Sequence, residues 1–292
     1  MAVTIERIGT TKDQIGESPI WDPAEHALYW IDAEKGELFR LDPATGRFRS
    51  WRVEPARHVG SMVLRKGGGA LLATNYGFEL YDFDTGKLTP SSYPEGRQPH
   101  TRLNDGKVDT RGRFVAGEIN LDSKLVGRFF RVDPGLKTAQ LGDGVACFNG
   151  PCFSPNGRIL YYSDTMSDTI FACDYDPETG SVSGRRIFAK TTELGGSPDG
   201  CTVDADGRVW PALMRSGKVG CFTPDGKVER LIDVPPKHVS STMFGGDNLD
   251  ELYITSIGSA LGGMLQPNDA DGGLYVIRGL GVKGKPEPRF AG

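Results

Sequence analysis

A six-bladed β-propeller, an all-β ring of four-stranded antiparallel blades, is the fold that this 292-residue sequence predicts. Three observations predict it. A short β-prone run recurs six times along the chain. Each copy is followed by a second strand pair around a tight turn. No helical 3.6-residue period competes anywhere.

The runs are Ala27–Ile31, Ala70–Ala73, Arg113–Ala116, Ile159–Tyr162, Arg208–Trp210 and Glu251–Thr255, with starts 43 to 49 residues apart. Four-stranded propeller blades repeat at about this interval, ~40–50 residues. The following pairs are Leu38–Gly46, Glu79–Gly86, Phe129–Pro134, Ile170–Gly180, Val219–Gly226 and Leu274–Ile277. Their Asp-Pro and Thr-Gly steps form turns, because Pro presets φ and Gly supplies positive φ. Alternating apolar residues on either side make hairpins. A solenoid would need polar capping repeats, and neither end reads as one. A ring leaves only short, protected edges. Val3–Ile8 is expected to be a strand that completes the last blade, so residues 1–292 form one domain.

Composition sets the outer limits. Hydrophobic residues are 38% and charged residues 25%, with 40 Gly and 19 Pro, a soluble chain that turns often. The net charge of −4 and the lack of a basic run exclude a nucleic-acid footprint. No apolar stretch approaches the ~20 residues of a membrane span. Met1–Trp21 contains Glu6, Arg7, Lys12, Asp13 and Glu17 and no apolar leader core. Five scattered cysteines, an odd number, read as reduced thiols in a cytoplasmic protein. Cys147 and Cys152 lack a second pair and are not counted as metal ligands. A monomer is the default.

The site emerges from aligning the copies on the turn before each run. Five residues before Asp22, Asp109, Ser154 and Asp204 stand Glu17, Asn104, Asn149 and Asp199. The second unit has Gly60 there, and the sixth falls on Ser240 or Ser241. Each residue opens an innermost strand, and equivalent points around a ring converge on its axis. Asn and Asp are also ordinary turn formers, but that role does not explain Glu17 in Gly16-Glu17-Ser18-Pro19. Carboxylates with an amide oxygen make a hard oxygen site suited to Ca²⁺, Mg²⁺ or Mn²⁺, and an open catalytic site of this kind also accepts Zn²⁺. A cation with open positions polarises a carbonyl and acidifies water, the chemistry of ester, lactone or phosphoester hydrolysis. Arg102, two residues before Asn104, is expected to reach the same cavity and donate to substrate oxygens. His100 is expected at the rim. No Gly-x-Ser-x-Gly elbow and no Gly-x-Gly-x-x-Gly turn is present, which sets aside serine-hydrolase and dinucleotide-binding readings.

These residues carry a resemblance. Gly16–Trp21, Arg102–Asp109, Tyr161–Thr165, Asp174–Asp176, Pro198–Gly200, Phe244–Gly246 and Gly279–Gly284 together resemble the regucalcin/gluconolactonase/luciferin-regenerating-enzyme family, from end to end of the chain. The resemblance implies a six-bladed propeller with one divalent ion on its axis, open among Ca²⁺, Mg²⁺, Mn²⁺, Zn²⁺ and Fe²⁺. It implies Glu17, Asn149 and Asp199 as metal ligands, with Asp199 also the catalytic base. Arg102 and Asn104 are implied as substrate-hydroxyl contacts. A further acidic contact is implied after Ala116-Gly117, by position Asp122 with Glu118 as the other option. This stretch, Gly117-Glu118-Ile119-Asn120, departs from the family's Gly-Thr-Met. The implied activity is hydrolysis of a sugar (aldono-) lactone to the open-chain acid in carbohydrate catabolism. The rivals are a calcium-binding regulatory protein without turnover and a metal-dependent aryl-ester or organophosphate hydrolase. The Arg102 and Asn104 pair favours the polyhydroxylated substrate.

Overall fold

In the computed structural model, which describes residues 2–90 and 93–292, almost all regular structure is strand. β1 (Thr4–Ile8) lies apart from its sequence neighbours. Blade one is β2 (Gly16–Asp22), β3 (Ala27–Asp32), β4 (Glu37–Leu41) and β5 (Phe48–Arg52). Blade two is β6 (Val59–Leu64), β7 (Ala70–Thr74), β8 (Gly77–Tyr81) and β9 (Leu88–Pro90). Blade three is β10 (Thr101–Val108), β11 (Phe114–Asn120), β12 (Gly127–Val132) and β13 (Thr138–Val145). Blade four is β14 (Phe148–Phe153), β15 (Ile159–Asp164), β16 (Thr169–Asp176) and β17 (Ser181–Lys190). Blade five is β18 (Ser197–Val203), β19 (Val209–Met214), β20 (Lys218–Phe222) and β21 (Val228–Asp233). Blade six supplies only β22 (Val239–Gly245), β23 (Glu251–Ser256) and β24 (Leu274–Arg278). Its fourth strand is β1, antiparallel to β24 with Thr4 opposite Arg278 and Ile8 opposite Leu274. The six sheets form a six-bladed β-propeller, closed by strands from opposite ends of the chain.

Burial falls from the axis outward. β2, β6, β14, β18 and β22 are buried at nearly every residue, whereas the outer β5 and β17 are mainly exposed. A strand covered on both faces has no wet side, so it reads as a run of apolar and small residues. Aromatic pairs fill the blade interfaces. Phe148 of blade four stacks on Phe129 of blade three at 5.2 Å, and Trp210 of blade five meets Phe244 of blade six edge-on at 5.6 Å. Each such pair is worth about 0.5–1.5 kcal/mol beyond the area it buries.

The turn aspartates that anchored the alignment have a structural reason to be there. Asp109 and Asp204 are fully buried. Asp109 accepts backbone N–H bonds from Arg111 and Arg113, both at 2.9 Å, and the Arg113 Nε–H at 2.6 Å. Asp204 repeats this with Asp206 and Arg208 and adds the Trp210 indole N–H at 3.0 Å. After β24 the chain crosses the end of the ring remote from these strand openings. It bonds Ala205, Leu249, Leu64 and Gly112 in blades five, six, two and three through backbone groups of Lys283, Gly284, Phe290 and Ala291.

Among the described residues no helix is long and apolar enough to cross a membrane. All five cysteines are free and buried.

Closure makes a prediction. Deleting residues 1–9 removes the whole β1–β24 ladder and the 2.8 Å pair between Arg278 and Glu6, and it bares the edge of the otherwise buried β24. We expect the melting temperature to fall by on the order of 10 °C. Differential scanning calorimetry checks this, and an unchanged midpoint would show that the ring does not depend on its seam.

Candidate functional site at the propeller axis

Every innermost strand breaks register once, at the same level of the ring. The breaks lie between Glu17 and Ile20, Val59 and Ser61, Leu103 and Gly106, Asn149 and Cys152, Pro198 and Cys201, and Val239 and Ser241. A bulge leaves residues unpaired and re-aims their side chains. Here the bulges bring Glu17, Asn104, Asn149 and Asp199 to one cleft of about 590 Å³, open mouth included, and Arg102 lines it too. Gly60 occupies the level in blade two for a steric reason. A Cβ there would lie 2.6 Å from the Leu103 carbonyl oxygen and 2.7 Å from the Asn104 Cα. The sixth position is Ser240, which bonds the Gly16 carbonyl and Thr255 instead of lining the cleft.

A chain of hydrogen bonds orients the amides. Arg102 Nη1 donates to Asn104 Oδ1 at 3.0 Å. Asn104 Nδ2 donates to Asn149 Oδ1 at 2.8 Å and to the Phe148 carbonyl at 3.0 Å. Asn149 Nδ2 donates to Thr165 Oγ1 at 2.9 Å, and Thr165 donates on to the Pro198 carbonyl at 2.9 Å. The network fixes the amide flips. It leaves Asn149 Oδ1 with one lone pair uncommitted, and it commits both N–H groups of Asn104 to the protein. Asp105 ties the bulges together, accepting the Gly106 N–H at 2.7 Å and the Gly150 N–H at 2.8 Å. Gly150 must be glycine, since its φ is +54° and a Cβ would sit 2.4 Å from the Asp199 carbonyl.

The electrostatics of the cleft floor are unresolved by the protein itself. Glu17 is 9% and Asp199 4% exposed. Burial pushes both carboxyls well above their ordinary range, and the negative charges of Asp199 and Asp105 add to the effect at Glu17, as Asp105 does at Asp199. Asp199 Oδ1 is buried with no hydrogen-bond partner among the described residues. Among the described residues Glu17 accepts only the Ser18 N–H, at 3.3 Å. Two buried, mutually repelling carboxylates with an orphaned oxygen and a free amide lone pair suit a hard divalent cation. Among the described residues no group of three or more His, Cys, Asp and Glu is gathered for a metal, and Asn149 brings an amide oxygen to the same cleft as the two carboxyls.

Not every expected residue reaches the cleft. Glu118 is corrected to a structural role. It is fully buried and holds Arg128 through the backbone N–H at 2.9 Å, Nε at 3.2 Å and Nη2 at 2.9 Å, with the Tyr93 hydroxyl donating at 3.0 Å. Strand alternation puts its neighbour Ile119 on the cleft side instead. Asp122 stands outside the lining, accepting from His100 Nδ1 at 3.1 Å and Lys124 Nζ at 3.2 Å. Sequence reading missed Thr165, His58 and an apolar wall that includes Ile119, Met214 and Ile257. Thr165 closes the Tyr161–Thr165 motif, so its position carried a signal. His58 sits two residues before Gly60, in the one blade with no aligned side chain.

Comparison with known proteins now bears on the site. A family model described as SMP-30/gluconolactonase/LRE-like region matches residues 15–258. The chain belongs to this family. The SMP-30/gluconolactonase/LRE-like match begins two residues before Glu17 and spans every cleft residue named here. The chain is 35% identical to a regucalcin of Xenopus laevis, over 100% of this chain and 99% of that one. It is also 35% identical to a pentonolactonase, XacC, of Haloferax volcanii, over 98% of each. A solved calcium-binding protein, regucalcin, from Agrobacterium tumefaciens superposes with a TM-score of 0.86 at 28% identity, covering 96% of this chain and 95% of that one. Members of the SMP-30/gluconolactonase/LRE-like family thus include proteins named for lactone hydrolysis and proteins named for calcium.

Proposed function

We propose that this chain is a metal-dependent sugar lactonase whose active site is the axial cleft. The observation that carries the reading is the uncompensated floor: Glu17 and Asp199 buried together, with an Asp199 oxygen that nothing in the described protein satisfies. Glu17, Asp199 and the Asn149 amide oxygen would hold one divalent cation. When bound, the cation supplies positive charge that stabilises a developing oxyanion and acidifies water.

The rest falls to the chain. Asp199 takes a proton from the attacking water as the new C–O bond forms. It returns that proton to the ring oxygen as the lactone C–O bond breaks, so no further co-reactant is needed. Arg102 donates to substrate hydroxyls through N–H groups not bound to Asn104 or Leu103. Asn104, implied by the resemblance as a substrate contact, has both donors committed and acts here as the brace that holds Arg102 and Asn149 in register. The pentonolactonase relative supports lactone chemistry.

The test is a metal-stripped preparation assayed on a panel of aldonolactones and aryl esters, with Ca²⁺, Mg²⁺, Mn²⁺, Zn²⁺ and Fe²⁺ restored singly and spontaneous opening subtracted. Metal-dependent acceleration on a lactone supports the reading. The regucalcin relative named as a calcium-binding protein favours a second one, cation binding without turnover. Tight binding with no acceleration on any substrate would establish that alternative.

Asp105 yields a prediction of its own. Asp105→Ala frees the Gly150 N–H and loosens the bulge that presents Asn149. Divalent-cation affinity should fall about 10- to 100-fold by titration calorimetry. An unchanged Kd would mean the bulge holds without it.

A further inference from the structure

The lactone reading leaves one polar wall of the cleft without a task, and that wall is His58. Its backbone is pinned in the loop before β6, the N–H donating to Asn75 Oδ1 at 3.1 Å and the carbonyl accepting from Asn75 N at 3.2 Å. Its imidazole lines the cleft beside Gly60 and Arg102 and is 14% exposed. Nδ1 stands 3.5 Å from Glu34 Oε2. An anion on that side favours the tautomer with its proton on Nδ1, which turns the Nε2 lone pair into an acceptor. Nε2 has no protein partner among the described residues and is not among the sealed polar atoms. Burial, reinforced by the Arg102 charge, holds the ring down to about 3, so it is neutral around neutral pH. Arg102 in turn uses Nη1 on Asn104 and Leu103 and keeps its other donors free of them.

We propose that His58 and Arg102 together recognise one substrate hydroxyl, whose proton is accepted by His58 Nε2 and whose oxygen takes a guanidinium N–H. Glu34 acts as a positioning residue that sets the tautomer. The inference rests on the lactone reading and deepens it by defining the substrate class: lactones with a free hydroxyl at one particular ring position. A hydroxyl needs both an acceptor and a donor. A hydrogen in its place uses neither, and a methyl ether can use only the donor. Either analogue leaves a buried polar atom unpaired, which is how a site built for a hydroxyl rejects its deoxy counterpart.

The experiment uses full-length protein with its activating cation and a set of monodeoxy and mono-O-methyl aldonolactones, compared by kcat/KM in wild type, His58→Ala, His58→Asn and Glu34→Gln. The matching unreactive lactams are titrated calorimetrically for binding. Wild type should prefer the parent over one deoxy analogue by roughly 10- to 100-fold. His58→Ala should bring that single ratio towards unity in both turnover and lactam binding, and His58→Asn, whose amide oxygen can still accept, should restore part of it. Glu34→Gln should lower the ratio and shift the ring ¹⁵N resonances towards the other tautomer. A wild-type ratio at every position in both His58 variants would overturn the inference while leaving the lactonase reading standing. No lactone turnover in wild type would remove both, and that failure is read in the wild-type column alone.

Discussion

Asp199→Asn will leave the propeller folded and lower lactone turnover by roughly 10³-fold or more at saturating cation. In the proposed mechanism the Asp199 carboxylate holds the cation and also takes the proton from water, whereas Glu17 holds the cation alone, and an amide at 199 cannot replace the base. The same substitution should stabilise the metal-free protein. Burial and Asp105 raise the folded-state value of Asp199 above its unfolded value of about 3.9. The folded chain therefore holds a proton that the unfolded chain releases, and stability is lost as pH rises above about 4 towards neutrality. Asn at 199 has no proton to lose. Metal-free Asp199→Asn should melt above metal-free wild type at pH 7, with the gap closing near pH 4. Added cation should raise wild type far more than the variant. Turnover within tenfold of wild type would end the proposed role of Asp199, and a melting gap independent of pH would contradict the electrostatic account.

The second large effect is on stability. Arg128→Met will destabilise the fold by about 3–5 kcal/mol, because it strands the fully buried Glu118 carboxylate without its counter-charge. Arg128 also caps the Glu95 carbonyl and lies over the Phe130 ring at 4.9 Å, so packing is lost as well. Replacing both partners, Glu118→Met with Arg128→Met, should recover much of the loss, since an apolar pair carries no desolvation penalty. Urea denaturation compares the variants. A single variant within about 1 kcal/mol of wild type would mean that the buried Glu118–Arg128 pair does not hold the blade together.

Glu118 also shows where sequence reading stops. The blade count, the hairpins and the alignment of Glu17, Asn104, Asn149 and Asp199 depend on spacing alone, and spacing is written in the chain. A partner across a hairpin is not. Arg128 lies ten residues from Glu118 and Tyr93 twenty-five residues upstream, and only the fold brings them together. An acidic residue near a strand end therefore looked like a substrate contact while serving as a buried ion pair. His58 was hidden for the opposite reason. Its blade carries glycine at the aligned level, so the side chain that reaches the cleft comes from a loop, where no period guides the eye. Ser240 shows a third limit, because a hydroxyl at an aligned position can be spent on the backbone beside it. The division of roles among the aligned residues is implied by the family resemblance alone, and their geometry does not assign it.

The seam between β1 and β24 governs more than the finished ring. During synthesis β24 emerges long after β1, roughly 15–60 s later at ordinary elongation rates. Throughout that wait β1 is a lone strand with open hydrogen-bonding edges, the kind of segment that recruits foreign chains. Its sequence, Thr4-Ile5-Glu6-Arg7-Ile8, is largely solvent-facing even in the native state and carries adjacent charges of opposite sign. Charges on an unpaired strand oppose pairing with foreign chains, and in the closed ring one of them, Glu6, holds Arg278 at 2.8 Å.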